Sequence, residues 1–509
     1  MSNEALPDPE TRPKTSLQVS ETDDADLEFM VPEPPFENIS RLRLLTFIAL
    51  MATSQIIAQA LLAQSLVPAP YTAKSFGVED DQGQISWMTA AYSLSVGTFI
   101  LISGRVGDLL GYKKVYIASY LSLALWSLLA GLSKYSGSIE FFDICRALQG
   151  LSVSAAVPNA LGLMGHYLPA GKLRNLAFGF FGAVAPLGFV LGALMSSVLA
   201  QFATWPWAFY VTAIVSVGKT AVSILVIPKN VVTVHKNLTA HHFDLYGAAT
   251  GISGLVLINF AFNQGPVVGW NVPYVYILLI VGVAFMAAFA WIERVATHPL
   301  VPKLNAPVVF TLACIALGWS SFGIWIYYTF RFAYDILSLS PLIASVQFIP
   351  SCIAGMLAGM LTANLIHRVP ASILLMVAMA CFVGGLVIMG LRPRGQIYWA
   401  QKFPAIVVAC FGMDISFPSG ILILSNKLPR RHQGLAASLV TTVVNYSISI
   451  GLGLAGTVEY YKIKNGADTY TGIRSAFYMG MALSASGLLC SVVFVYYQLV
   501  RHRHSAHKI

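Results

Sequence analysis

The sequence predicts an all-α membrane protein. Of its 509 residues, 56% are hydrophobic and only 10% are charged, with a mean hydropathy of +0.70. Soluble domains carry about 25% charged residues, so lipid rather than water must cover most of this surface. Apolar residues also run in repeated blocks close to the roughly 20 residues that one bilayer crossing needs. The blocks are apolar all round and do not alternate as barrel strands would, which leaves helices to satisfy the backbone within lipid.

Fourteen crossings are expected. The first six fall near 44–66, 84–104, 114–133, 141–165, 175–200 and 206–227. Four follow near 245–263, 273–292, 307–329 and 341–366, and the last four near 370–391, 399–424, 433–458 and 473–499. Residues 1–40 are rich in proline and acids such as Asp23, Asp24 and Asp26. Such a segment cannot bury a core and lacks the basic-then-apolar order of a cleavable leader, so a disordered acidic tail is expected. The first apolar helix, after Arg41 and Arg43, then serves as the insertion signal.

An even number of crossings puts both termini on one side. Placing them in the cytosol gathers most basic residues inside, including Arg105, Lys113, Lys114, Lys172, Arg174 and Lys229. Fewer fall outside, among them Lys74, Lys134, Arg331, Arg392 and Lys402. The bias follows the positive-inside rule. The net charge of +9 is therefore read as topology control, and the short, aromatic-poor loops exclude nucleic acid as a partner. Trp205, Trp207, Trp270 and Trp399 fall at outer boundaries, where aromatic rings prefer to sit. The sequons at Asn38 and Asn237 land in the cytosol and that at Asn445 inside a span, so none is expected to carry a glycan.

Six cysteines all lie in apolar runs without metal-ligand or CxxC spacing, which argues against disulfides and a metal site. No HExxH, GxSxG or phosphate-cradling GxxxxGK[ST] sequence occurs, so neither an enzyme nor an ATP-driven engine is indicated, and no cofactor is expected.

The chemistry-bearing residues cluster in a few places. Between the second and third spans runs Gly104-Arg-Val-Gly-Asp108-Leu-Leu-Gly111-Tyr-Lys113-Lys114. Its glycines permit a tight reversal, and Asp108 at a helix end can pair with a cation or helix N-terminus of a neighbouring bundle. The fourth span holds Asp143 and Arg146-Ala-Leu-Gln149-Gly150, with Asp143 and Arg146 on one helical face. An arginine within a span costs at least about 2.5 kcal/mol in insertion terms and needs a partner or a wet cavity. The fifth span spaces Gly182, Pro186, Gly188 and Gly192 along its length, a pattern for close packing and a kink. Asp414 reads as the one carboxylate deep in the second half, a functional-site expectation by default. Gln55, Gln59, Asn159, Lys219 and Asn445 are further candidates for a cavity, while Asn259 and Asn263 share a face suited to interhelical contact.

These motifs resemble the major facilitator superfamily. The loop from Gly104 to Lys114 is similar to its signature loop, and Arg146-x-x-Gln149-Gly150 to a pattern carried by proton-coupled members. The fifth span resembles the glycine-proline motif of antiporters, although Ala185 stands where glycine precedes the proline. The stretch from Phe243-Asp-Leu-Tyr-Gly to Trp270 is similar to the fungal subgroup named for aminotriazole and boron resistance, which includes low-affinity ammonium transporters. In the second half, around Gly359 to Arg368, only Asn364 stands near the place of the signature acid.

The resemblance, over about residues 41–500, implies two six-helix bundles at 41–228 and 307–500. A linker with two inserted helices would span 229–306, and a basic tail 501–509. It further implies a monomeric, proton-coupled exporter of a small solute or toxic compound, rocking about a midplane site. A transporter of a small polar solute such as boric acid or ammonium is the alternative, and a non-transporting sensor a remote one. On this reading Asp108 and its neighbours form a conformational latch, and Asp143, Arg146, Gln149 and Asp414 couple proton movement. The plasma membrane is expected over the vacuole.

Overall fold

The computed structural model describes residues 40–169, 171–228, 244–295, 305–366, 368–426 and 433–506. The acidic tail, the sequons at Asn38 and Asn237, and basic residues such as Lys229, Arg430 and Arg431 lie outside the described residues. Among the described residues every regular element is helical. Thirteen segments are long and apolar enough to cross a bilayer, and a bent fourteenth, Gln82–Leu110, completes the set.

The first bundle comprises α1 (Arg41–Leu66), the short α2 (Ala69–Phe76), α3 (Gln82–Leu110), α4 (Tyr112–Ser136) and α5 (Ile139–Tyr167). One further span is split into α6 (Lys172–Ala183) and α7 (Ala185–Phe202), and α8 (Pro206–Val226) closes the bundle. Then come the inserted pair α9 (Leu245–Val268) and α10 (Pro273–Val295). The second bundle begins with α11 (Ala306–Arg331), continued by a π-helical turn Phe332–Ile336. A second broken span, α12 (Pro341–Val346) and α13 (Pro350–Leu365), precedes α14 (Ala371–Gly390). The chain then runs through α15 (Phe403–Ser425), α16 (Gln433–Lys464) and α17 (Thr469–Ala506).

Local chemistry explains the boundaries. Side chains of Asp81, Ser138 and Asn305 accept from the amides of Gln84, Phe141 and Val308, capping α3, α5 and α11. Gly111, at φ +92°, makes the one-residue reversal between α3 and α4, a conformation costly for any residue with a side chain. The span formed by α6 and α7 breaks at Val184, two residues before Pro186, whose ring and missing N–H disrupt a continuous helix.

Packing then joins these pieces. In the first bundle α5 lies against α3 and α4, α4 against α8, and α1 against α7. In the second, α11 packs on α16 and α17, and α15 on α13 and α14. The bundles meet along two seams, α3 with α16 and α7 with α12 and α13. Helix α9 rests on both α3 and α16 beside the first seam. Asn259 and Asn263 act there as contact residues, bonding Ser449 of α16 at 2.7 and 3.1 Å.

Two expectations need correction. Arg331, Arg392 and Lys402, expected outside, are buried within the protein rather than exposed in loops. Asp414 is not the one deep carboxylate of the second half, since Glu459 is 4% exposed within α16. The reason is mutual: Arg331 Nη1 donates to both Glu459 oxygens at 2.6 and 2.8 Å, and Tyr328 donates to Glu459 at 2.8 Å. Paired in this way, the charges let α11 and α16 continue past the point where an apolar window ends.

Two stability effects follow. At Gly192 an added Cβ would sit 2.4 Å from the Ala60 backbone, so Gly192→Val should cost about 1–3 kcal/mol and lower the melting temperature of the purified protein. Removing one partner of a buried ion pair costs about 3–5 kcal/mol, so Glu459→Ala should depress melting strongly. By contrast Arg394→Ala, which breaks the exposed pair with Asp468, should leave the melting temperature unchanged.

Candidate functional site

Between the bundles lies a chamber of about 2610 Å³. Its mouth is edged by Gly104, Arg105 and Asp108 at the end of α3, and by Gly171 before α6. This is also the face where α1 begins, since Arg43 bonds the carbonyls of Leu225 and Val226 at the end of α8. From there the chamber reaches inward to Trp319, Trp325 and Phe348. It is sealed toward the other face. Phe348 stacks on Phe330 with ring centroids 4.6 Å apart, and Phe189 packs against both. Across the same seam Tyr334 donates to the Val67 carbonyl at 2.6 Å, and the hydroxyls of Ser197 and Ser345 meet at 2.7 Å.

The chamber wall is mostly apolar, with a few polar groups placed in it. Gln55 and Gln59 come from α1, Asn445 from α16 and Asp414 from α15. Asn445 is partly engaged, donating to the Thr441 carbonyl at 3.0 Å. Asp414 Oδ2 is buried and accepts no hydrogen bond among the described residues; Trp325 Nε1 likewise has no acceptor. Asp414 and Trp325 thus both line this space, and each keeps one buried polar atom without a hydrogen-bond partner among the described residues. Such groups are costly unless water or a ligand satisfies them. Space for Asp414 comes from Gly355 of α13, where a Cβ would sit 2.9 Å from Oδ2 and 2.6 Å from Pro186 of α7. The carboxylate therefore sits at the junction of three helices and beside the seam between the bundles.

Other expected site residues lie elsewhere. Arg146 is wholly buried behind the chamber, donating to the carbonyls of Met88 and Leu61, to Ser65 Oγ and to Gln149 Oε1. Its guanidinium also lies 4.8 Å from the Tyr92 ring centroid. Gln149 passes the network on to Ser127 at 2.7 Å. Among the described residues no ion pair joins Asp143 to Arg146, and Asp143 Oδ1 is buried without a partner. Lys219 donates to Thr53 and Ser54 at 2.7 and 3.1 Å and lies over the Tyr120 ring. Asn159 donates to the Ser103 carbonyl and fills the space that Gly107 leaves open. None of these five residues lines the chamber.

Around the signature loop, Asp108 accepts a hydrogen bond from Tyr112, while Lys113 donates to the Ile224 and Ile227 carbonyls at the end of α8 and Lys114 is exposed. Among the described residues no ion pair links Asp108 to the second bundle. On the glycine-rich span, Gly182 and Pro186 line the chamber, whereas Gly188 and Gly192 press against the backbone of α1 at Ile56 and Ala60. The sequence reading missed the aromatic wall. Trp319, Phe322 and Trp325 recur every three residues along α11, a spacing that places them on adjacent parts of one helical face.

Two helical bundles around a chamber open to one face define a membrane transporter rather than an enzyme, and residues 44–454 match the Major Facilitator Superfamily. The chain belongs to that family. It is 46% identical to the "Low affinity ammonium transporter" of Saccharomyces cerevisiae, with 88% of each chain covered. It is 39% identical to "Efflux pump terJ" of Aspergillus terreus, covering 89% of this chain and 88% of that one. The "Aminotriazole resistance protein" of Saccharomyces cerevisiae shares 36% identity, over 90% and 85% of the two chains. Among solved structures, a peptide transporter POT in complex with sulfate has a similar fold, with a TM-score of 0.66 at 16% identity. That alignment covers 89% of this chain and 94% of the other.

Proposed function

We propose that this transporter exports a small or amphiphilic toxic compound in exchange for protons. The observation that carries the reading is Asp414, whose unpartnered carboxylate borders both the chamber and the contact between bundles. Charged, it favours the wet, open chamber. Protonated, it loses the desolvation cost that opposes closing the chamber around it. Proton loading can therefore bias the rocking of one bundle on the other. One proton crossing 100 mV supplies about 2.3 kcal/mol, enough for a roughly fifty-fold solute gradient.

The bodies that move are residues 41–228 and 307–500, with the helices of 229–306 resting beside one seam. Arg146 and Gln149 hold α1, α3 and α5 together as positioning residues, and Asp143, set away from the chamber, is the second carboxylate assigned to proton coupling on this reading. Gly104, Asp108, Gly111, Lys113 and Lys114 form a latch that is released while the chamber mouth is open. The positive-inside rule supports a cytosolic assignment for that mouth and for both termini. Export of a toxicant favours the plasma membrane. A complete chamber within one chain supports a working monomer.

A second reading is movement of a small polar solute such as ammonium or boric acid. It is favoured by the 46% identity to a chain named as an ammonium transporter, and by Gln55, Gln59 and Asn445 in the chamber. Flux in sealed vesicles separates the two. With an imposed pH difference, aminotriazole should be driven against its gradient by the parent protein, and Asp414→Asn should reduce that flux at least tenfold. Pumping retained in full by Asp414→Asn would remove the carboxylate from coupling. Flux of methylammonium or borate alone, indifferent to pH, would favour the second reading.

A further inference from the structure

On the far side of the aromatic seal is a smaller cavity of about 330 Å³, walled by both bundles. The first contributes Lys74 and Glu79, and the second Tyr327, Phe330, Arg331 and Asp335. It lies directly beyond the aromatic seal of the central chamber. Phe330 borders this cavity, and the same ring stacks on Phe348, which borders the central chamber. Tyr334, also on its wall, makes the bond to Val67 that ties the bundles together here. The Phe330–Phe348 stack, backed by Phe189, thus lies between the two spaces.

The small cavity carries a defined set of charges. Arg331 is held by Asp335 Oδ2 at 2.8 and 3.0 Å and by Glu459 at 2.6 and 2.8 Å. Two carboxylates around one guanidinium leave a surplus negative charge, while Lys74 and Glu79 offset one another at the exposed rim. Asp335 is exposed at the cavity's edge, and its Oδ1 has no protein hydrogen bond among the described residues and stays open to solvent or a ligand. Tyr327 is 4% exposed, and its hydroxyl is buried with no partner among the described residues. A spare carboxylate oxygen, an unpartnered hydroxyl able to accept, and the rings of Tyr327, Phe330 and Tyr334 suit a cation bearing N–H donors. An anion would meet the surplus acid.

We propose that this cavity is a second binding station, which takes the protonated amine of a solute after it passes the Phe330–Phe348 gate. The inference rests on the central chamber being the solute's path, and it assigns that solute a protonatable nitrogen. Arg331 then acts as a positioning residue that holds Asp335 in place.

Equilibrium binding of radiolabelled methylammonium to the full chain in lipid nanodiscs tests this, with Asp414→Asn as the background so that the central carboxylate is silent. Saturable binding should persist in that background. Adding Tyr327→Phe, or Asp335→Asn, should weaken it at least fivefold, and acetate should not compete. Tyr327→Phe removes a single oxygen and keeps the ring, so an unchanged melting temperature separates loss of the ligand from loss of fold. Binding unaltered by both substitutions overturns the station, as does binding abolished by Asp414→Asn alone. Competition by acetate overturns the cationic assignment. Proton-driven flux in vesicles is read separately: its absence, with methylammonium binding intact, would remove the exchange mechanism and leave the station standing.

Discussion

Every polar group within the bilayer must find its partner inside the protein, because lipid offers none. Two kinds of solution coexist in this chain. Arg146 engages two carbonyls, a serine and a glutamine, Arg331 engages two acids, and Lys219 engages two hydroxyls. These satisfied groups each bind helices of one bundle into a unit. Asp414 and Trp325 Nε1 are left unsatisfied, and both border the chamber. The satisfied charges tie the helices of each body together, while Asp414 and Trp325 leave unpaired polar groups in residues that line the space between them.

The seams show why such bodies can shift without coming apart. Small residues allow backbones to approach along them: Gly97 meets the backbone of Tyr446 between α3 and α16, and Gly355 meets Pro186 between α13 and α7. Contacts of this kind involve few hydrogen bonds, so sliding one helix past another exposes little that must be re-paired. The polar bonds that do cross the sealed end, Tyr334 to Val67 and Ser345 to Ser197 and the Ala193 carbonyl, are few and local. On the proposed exchange mechanism, the open mouth is one state of a pair, in the manner of alternating access.

Much of the fold was legible from hydropathy. Fourteen apolar runs specified fourteen crossings, and the Gly104–Lys114 and Arg146–Gly150 motifs pointed to the family before any contact was known. Asp414 was legible as an isolated acid in an apolar run. Glu459 was not, since it opens the charged segment that ends its apolar run; only the approach of Arg331, 128 residues earlier, makes that position buried. The same limit applies to Arg146 and Asp143. Helical spacing puts them on one face, but the guanidinium turns to carbonyls of α1 and α3, a choice made by neighbouring helices.

What the sequence alone determined was the solvent of this protein and the number of its crossings, because the transfer energy of a twenty-residue apolar helix depends on its own side chains. Tertiary structure decided which polar residues face the chamber, which are locked in internal networks, and where the aromatic stack of Phe330 and Phe348 falls. Those outcomes depend on helix rotation and on pairings between segments far apart in the chain, and periodicity within one helix carries no record of its neighbours.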